Sequence, residues 1–304
     1  MRTRTTPIRT RTPTTPSTTT ASALARAIEP LDTGTFARLH WEREPLHRAR
    51  GEEGRFDDLL SARDAERLVC DPGLRAPAFR LVKAGEQLDA RAYTTDLGWR
   101  PQPFTGAARL ERVLAEFERG ATIVLQALHL NWRPVARFCR ALEAELGHPA
   151  QANAYLTPRR SQGLPVHHDT HDVFVLQVSG SKRWLVYPPA LELPLRDQRY
   201  SPSLGGADEA PTLDVELGPG DTLYLPRGWL HQALTSDTDS LHLTIGVNAY
   251  TWYDALRAAL ERCTDEVALR RAVPLDGEGG PELLELLAGR LEPPAVAAAM
   301  RGRL

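Results

Sequence analysis

The chain has 304 residues, 42% hydrophobic and 25% charged, with 37 basic against 39 acidic side chains and a net charge of −2. That is ample material for one large domain or two modest ones, and the near-neutral balance supplies no global field toward nucleic acid or an anionic membrane. The three cysteines, Cys70, Cys139 and Cys263, are odd in number and far apart with no C-x-x-C pair, which argues against a disulfide framework or a cysteine zinc site and sets a reducing cytoplasm as the expected location.

Residues 1–27 alternate Arg, Thr and Pro, with no acid before Glu29 and no apolar h-region of a secretory signal, so the expectation is a disordered, solvated arm. The same composition also fits an organelle transit peptide or a weak anion-binding arm. No apolar run approaches the roughly 20 residues that a membrane-spanning helix requires. From Ile28 to about residue 150, helical patterns alternate with turns: FARLHWEREPL, FDDLLSARDAERLV and LERVLAEFERGATIVLQAL carry apolar residues at helical spacing. Between two of them, PAFRLVKAGEQLD reads as an edge hairpin turning at Ala84 and Gly85. A helix beginning near Pro134 is expected to stop at Gly147, since glycine is the residue that takes the left-handed conformation at a helix end without penalty.

Over residues 151–250 the pattern changes to short β-branched and aromatic runs punctuated by Gly, Pro and Asp: ANAYLTP, DVFVLQVSG, KRWLVYPP, TLDVELGPGDTLYLP and LHLTIGVNAY. Short strands with regular turn signals predict antiparallel architecture, a sandwich or a barrel with an enclosed pocket. Residues 251–304 return to helical spacing and are expected to form a helical cap or a dimer surface.

The chemistry gathers in GLPVHHDTHDVFVLQVSG. His167 and Asp169 are two apart, so on an extended chain opening a strand they project to one face while His168 points the other way. An H-x-D triplet alone is more often a solvated surface pair. It gains meaning if a second histidine arrives from a distant strand, because two imidazoles and one carboxylate make a facial triad with open coordination positions for a borderline divalent metal. His231 is the natural candidate, presented by the Pro226-Arg227-Gly228 bend after the Thr222 to Leu225 strand. Between the two lies Lys182, whose bland reading is an outward-facing charge.

The stretch NAYLTPRRSQGLPVHHDTHDVFVLQVSGSKRWLVYPP resembles the catalytic core of the Jumonji-C ribosomal oxygenases, the cupin-like protein hydroxylases, and a looser similarity runs from about Phe36 to Tyr250. The resemblance implies a mainly β fold with flanking helices (α+β), a double-stranded β-helix of the cupin or jelly-roll type with helical additions at both ends. It implies Fe(II) held by His167, Asp169 and His231, with 2-oxoglutarate and dioxygen as cosubstrates and Lys182 on the distal carboxylate. It also implies Asn153 and Tyr155 as cofactor or substrate contacts, and His242 beside the cofactor. Two departures stand out: Val166 separates Pro165 from the first ligand, and the stretch after Tyr250 is expected to be too short for the family's dimerisation and winged-helix regions.

The expected activity is hydroxylation of a carbon on a protein or peptide side chain. The alternatives are a tailoring hydroxylase of a small natural product or biosynthetic peptide, and a non-catalytic cupin that binds metal or ligand. A homodimer through the terminal helices is a hypothesis. His171 continues the period-two series His167, Asp169, and zinc would tolerate that set, but His168 and His171 read better as groups around the ligands or on the surface. Trp184, Trp229, Phe174 and Tyr187 read as core and pocket wall, and Arg227 as a loop brace.

Overall fold

Two antiparallel sheets face each other, and the alternation of side chains along their strands decides which residues reach the space between them. The computed structural model describes residues 22–98, 102–206, 210–272, 275, 285 and 287–289. In chain order it runs α1 (Ala23–Ile28), α2 (Thr33–Leu39), β1 (Leu46–Arg48), α3 (Asp57–Leu60), α4 (Ala62–Val69), β2 (Phe79–Lys83), β3 (Glu86–Gln87), β4 (Thr94–Leu97) and β5 (Phe104–Ala108). Then follow α5 (Leu110–Glu118), β6 (Thr122–Leu125), α6 (Leu128–Asn131), α7 (Arg133–Leu146), β7 (Ala150–Thr157), β8 (Asp172–Ser179) and β9 (Lys182–Pro189). The last are β10 (Leu213–Leu217), β11 (Thr222–Leu225), β12 (Trp229–Leu234), β13 (Ser240–Val247) and α8 (Trp252–Arg262).

The major sheet has the order β1-β11-β8-β13-β7-β6-β2-β3, the minor sheet β10-β9-β12, and β4 and β5 form a separate ribbon. The expected barrel is therefore an open sandwich: among the described residues no hydrogen-bonded ring closes, and the double-stranded β-helix character lies in the facing of the two antiparallel sheets.

Strand parity sorts two cores. On β8, Phe174, Leu176 and Val178 join the cluster shared with the N-terminal helices, while Val173 and Val175 join the inter-sheet cluster with Trp184, Val186, Leu223 and Leu225. β13 sends Leu241, Leu243, Ile245 and Val247 to the helical side, and β7 sends Ala150, Ala152 and Ala154 there. Each large aliphatic side chain so buried contributes about 1.5–3 kcal/mol of transfer free energy. The small alanines let α6 and α7 approach β7 closely, and the helical layer leaves the other face of these strands free for chemistry.

Several sequence expectations hold. The hairpin turns at Ala84 and Gly85 (φ 49° and 91°). The helix α7 carries Pro134 in its first turn and ends at Gly147 in the left-handed conformation. Others need correction. The arm expected over 1–27 ends earlier: Ser22 caps α1, Glu145 of α7 accepts hydrogen bonds from the Ala23 and Leu24 amides, and Ala23, Leu24, Ala27 and Ile28 are buried. Apolar burial and a cap borrowed from a distant helix outweigh the composition of the preceding stretch; residues 1–21 lie outside the described residues. FDDLLSARDAERLV is split at Ser61, whose hydroxyl and the Asp64 carboxylate form a reciprocal capping box that starts α4 afresh. In LERVLAEFERGATIVLQAL the helix stops at Glu118, Gly120 turns the chain at φ 97°, and Thr122–Leu125 is a strand of the major sheet, a run of four buried residues that helical spacing cannot distinguish from a helix turn. The C-terminal stretch from Pro281 onward falls almost wholly outside the described residues. Among the described residues no helix is long and apolar enough to cross a membrane, and the three cysteines are unpaired.

One ion cluster ties the N-terminal segment to the sheets. Arg227, with its side chain 6% exposed, pairs with Asp172 at 3.2 Å and with Glu42, and Asp172 also accepts from the Tyr224 hydroxyl at 2.9 Å. Burial raises the Asp172 carboxyl above its ordinary range even against the neighbouring Arg227. Arg227 is thus the loop brace that its place in the sequence suggested. Removing one partner of such a cluster strands the other in a low-dielectric site, so Arg227→Ala is expected to lower stability by about 3–5 kcal/mol; the midpoint of urea unfolding checks it.

Candidate metal centre

The site is built where a loop meets the free edge of the minor sheet. β12 pairs with β9 on one side only, and on the other its backbone meets the segment before β8. His167 N–H donates to the His231 carbonyl at 3.1 Å, and His231 N–H donates to the His167 carbonyl at 2.8 Å. This reciprocal pair sets the two imidazoles side by side, with ring centroids 4.4 Å apart. His231 stands on β12 just after the expected Pro226-Arg227-Gly228 bend, where Gly228 has φ 91° and the Leu191 carbonyl pressed where a Cβ would sit. The H-x-D triplet precedes its strand instead of opening it, since β8 starts at Asp172.

The potential ligand atoms of His167, Asp169 and His231 all lie within 4.8 Å of one another. Asp169 Oδ2 is 3.7 Å from His231 Nε2. The other nitrogen of each ring is already engaged: His167 Nδ1 lies 2.8 Å from the Pro165 carbonyl, and His231 Nδ1 lies 3.0 Å from the Trp229 carbonyl. A carbonyl can only accept, so each Nδ1 is the donor of its pair and each Nε2 is the nitrogen left for a cation. Burial, then the neighbouring His167, pushes the His231 imidazole down to about 4, so it is neutral near pH 7. Burial works against the Asp169 carboxylate, but the surrounding histidines, His171 and His167 foremost, outweigh it and hold the group below its usual range. Two imidazoles and one carboxylate on one side of a cavity fit a borderline divalent metal with open positions.

The cavity between the sheets measures about 310 Å³ and is lined by all seven residues singled out in the sequence: His167, Asp169, His231, Lys182, Asn153, Tyr155 and His242. Lys182 is buried, and its ammonium makes one hydrogen bond, to Thr157 Oγ1 at 2.9 Å. Burial alone lowers it to about 7, with no nearby carboxylate to offset the effect. Beside it His242 is held well below the ordinary histidine range by burial and then by the Lys182 charge, and its ring stacks on Tyr155 at 5.0 Å. Asn153 lines the cavity while its Oδ1 accepts from the Ala127 amide at 3.0 Å, so it also fixes the start of α6. Trp184 is pocket wall against His231 and His242.

Sequence reasoning missed Arg80, Gln151, Thr157 and Thr244. Gln151 and Thr157 extend the period-two series through Asn153 and Tyr155 on β7, and Thr244 follows His242 by two on β13, a signal present in the sequence. Arg80 lies on β2, whose place beside β6, one strand removed from β7, no local pattern reveals. His168 turns away, its Nε2 3.1 Å from the Gln198 carbonyl, and the three-residue ligand cluster does not include His171.

A model of the JmjC domain matches residues 125–255. The chain is 32% identical over 260 residues to the bifunctional lysine-specific demethylase and histidyl-hydroxylase NO66 of Drosophila persimilis, covering 83% of this chain and 36% of that protein. It is 34% identical over 257 residues to ribosomal oxygenase 1 of Gallus gallus, covering 82% of this chain and 41% of that protein. The chain thus spans well under half the length of these curated relatives. Among solved structures, the ribosomal oxygenase YcfD of Escherichia coli superposes with a TM-score of 0.57 in complex with cobalt and succinic acid and 0.54 in complex with cobalt and 2-oxoglutarate. Identities are 20% and 19%, covering 89% and 88% of this chain and 69% and 68% of that one, and the likeness establishes that the two share a fold.

An ammonium held near 7 inside the protein, against 10.5 in water, binds fewer protons folded than unfolded over that interval, so stability gained from its neutralisation appears as pH rises from 7 toward 10. Lys182→Met is therefore expected to match or exceed the parent's melting temperature near pH 6.5 without ligand, with the gap closing by pH 10; thermal melts across that range check it.

Proposed function

The chain belongs to the JmjC family, and on that premise we propose that it is an Fe(II)- and 2-oxoglutarate-dependent oxygenase that hydroxylates a carbon of a protein or peptide side chain. The observation that carries the reading is the pairing, in one cavity, of a His-Asp-His ligand cluster with a buried lysine that has no anionic partner among the described residues. When bound, Fe(II) and 2-oxoglutarate supply the activation of dioxygen, with succinate and carbon dioxide as co-products and one oxygen atom delivered to the substrate carbon.

The chain's own residues divide the remaining work. His167, Asp169 and His231 hold the metal from one side. Lys182, charged by the arrival of a carboxylate, anchors the far end of the dicarboxylate, and Thr157 keeps its ammonium aimed into the cavity. His242 stays neutral and fills the space between Lys182 and Tyr155 without adding a competing charge. Val173 and Trp184 form dry wall that keeps bulk water from the reacting atoms. Asn153 and Tyr155, adjacent on one face of β7, are the groups that orient cosubstrate or substrate beside the metal.

The relatives named for ribosomal substrates and histidyl hydroxylation support a protein target. A free peptide or metabolite remains the second substrate class. The exposed apolar face of α8, with Trp252 at 77% and Leu260 at 51%, supports self-association, and a monomeric mass by light scattering at working concentration would exclude it.

Succinate formation from 2-oxoglutarate with Fe(II) and ascorbate under air tests the proposal, with ribosomal extract, peptide and metabolite pools offered in parallel. Turnover is expected in the parent with one pool and at background level in His231→Ala, whose circular dichroism stays unchanged. Full turnover in that variant would sink the ligand assignment, and no turnover in any pool would favour a cupin that only binds.

A further inference from the structure

The two oxygens of Asp169 face different neighbours. Oδ2 lies 3.7 Å from His231 Nε2, on the side where the three ligand atoms converge, whereas Oδ1 lies 3.9 Å from His171 Nδ1. His171 Nδ1 is buried and has no hydrogen-bond partner among the described residues. A buried polar nitrogen without a partner is uncommon, so the orientation of this ring calls for a physical reason.

The opposite edge of the same ring supplies part of that reason. A Cβ built on Gly246 would sit 2.5 Å from His171 Cδ2 and 2.6 Å from Nε2, closer than real atoms approach. Only a glycine on β13 leaves room for the imidazole to lie against the sheet with Nδ1 turned to Asp169. Gly246 pairs in register with Val173 of β8 and Gln151 of β7, so neither it nor the residue that leads into β8 can shift without breaking the sheet.

We infer that His171 is a positioning residue of the metal centre, donating from Nδ1 to Asp169 Oδ1 so that Oδ2 is presented to the metal, and that Gly246 is the gap that holds its ring there. The inference rests on the reading of Asp169 as a metal ligand. A carboxylate bound through one oxygen keeps lone pairs on the other, and the broad torsion about the final bond of an aspartate lets Oδ1 close on the imidazole. A donor on the free oxygen fixes the carboxylate plane, and losing such a partner typically weakens metal binding about 10- to 100-fold. His171 is not a fourth ligand, because the ligand atoms that converge are those of His167, Asp169 and His231.

Co(II) titrations of the full chain, read by calorimetry and by the visible absorption of the bound ion, test this without any turnover. Asparagine carries its amide nitrogen near the position of histidine Nδ1 and glutamine near that of Nε2, so the two amides separate hydrogen bonding from packing. The expectation is that His171→Leu and His171→Gln weaken Co(II) binding about 10- to 100-fold and shift its absorption bands, while His171→Asn stays within a few-fold of the parent. Gly246→Ala should weaken binding in the parent and add nothing to His171→Leu. Parent-like affinity in His171→Leu, or equal losses in the Asn and Gln variants, would overturn the inference. Should the parent itself bind no Co(II), the metal-site reading of His167, Asp169 and His231 falls, and this inference with it.

Discussion

The reciprocal backbone pair between His167 and His231 is the contact on which the rest of the site depends. β12 ends the minor sheet with one edge unsatisfied, and the segment before β8 meets that edge at Gln162 and at His167. Backbone groups buried at an edge must find partners, so this pairing is required by the sheet before any chemistry is considered. Its by-product is that two imidazoles from distant parts of the chain stand 4.4 Å apart, each with Nδ1 tied to the carbonyl two residues back and Nε2 left free. Asp169, two residues past His167, then completes the cluster with no further long-range contact.

The major sheet performs a second division. Its central strands are covered on both faces, by helices on one side and by the minor sheet on the other, and strand parity assigns each residue to one of them. Leu241, Leu243, Ile245 and Val247 stabilise the domain; His242, Thr244 and Gly246, interleaved with them, face the cavity. On β7 the same interleaving sets three alanines against the helices and Gln151, Asn153 and Tyr155 toward the site. A one-residue slip of either strand would exchange core for site, so the packing that fixes these strands, such as Phe174 of β8 against Phe36 of α2, protects the register of the chemistry as well as the stability of the fold.

The cavity concentrates groups that destabilise the empty protein. Lys182 is buried with one neutral partner, and His171 Nδ1 is buried with none. Neither arrangement helps folding, and the proposed ligands would relieve both, an anion at the lysine and a carboxylate oxygen at the imidazole. Aliphatic burial around them is extensive enough to tolerate the cost, and the cost itself couples ligand binding to stability.

The sequence by itself determined the antiparallel character of the stretch 151–250, the helix beginning near Pro134 and ending at Gly147, the edge hairpin at Ala84 and Gly85, and the seven residues that line one cavity. These were legible because turn residues, alternation and the two-residue spacing of His167 and Asp169 are local, and because the resemblance rested on contiguous motifs. Tertiary structure decided the rest. Thr122–Leu125 is a strand because β2 and β7 offer it edges on both sides, which a four-residue apolar run cannot announce. Ala23–Ile28 is a helix because Glu145 caps it and the core beneath accepts its apolar face. The sandwich stays open because β12 finds its second partner in a loop instead of another strand, and Arg80 and Gly246 acquire their places through strand neighbours far away in the chain. Local spacing sets which way a side chain points; only long-range pairing sets what it points at.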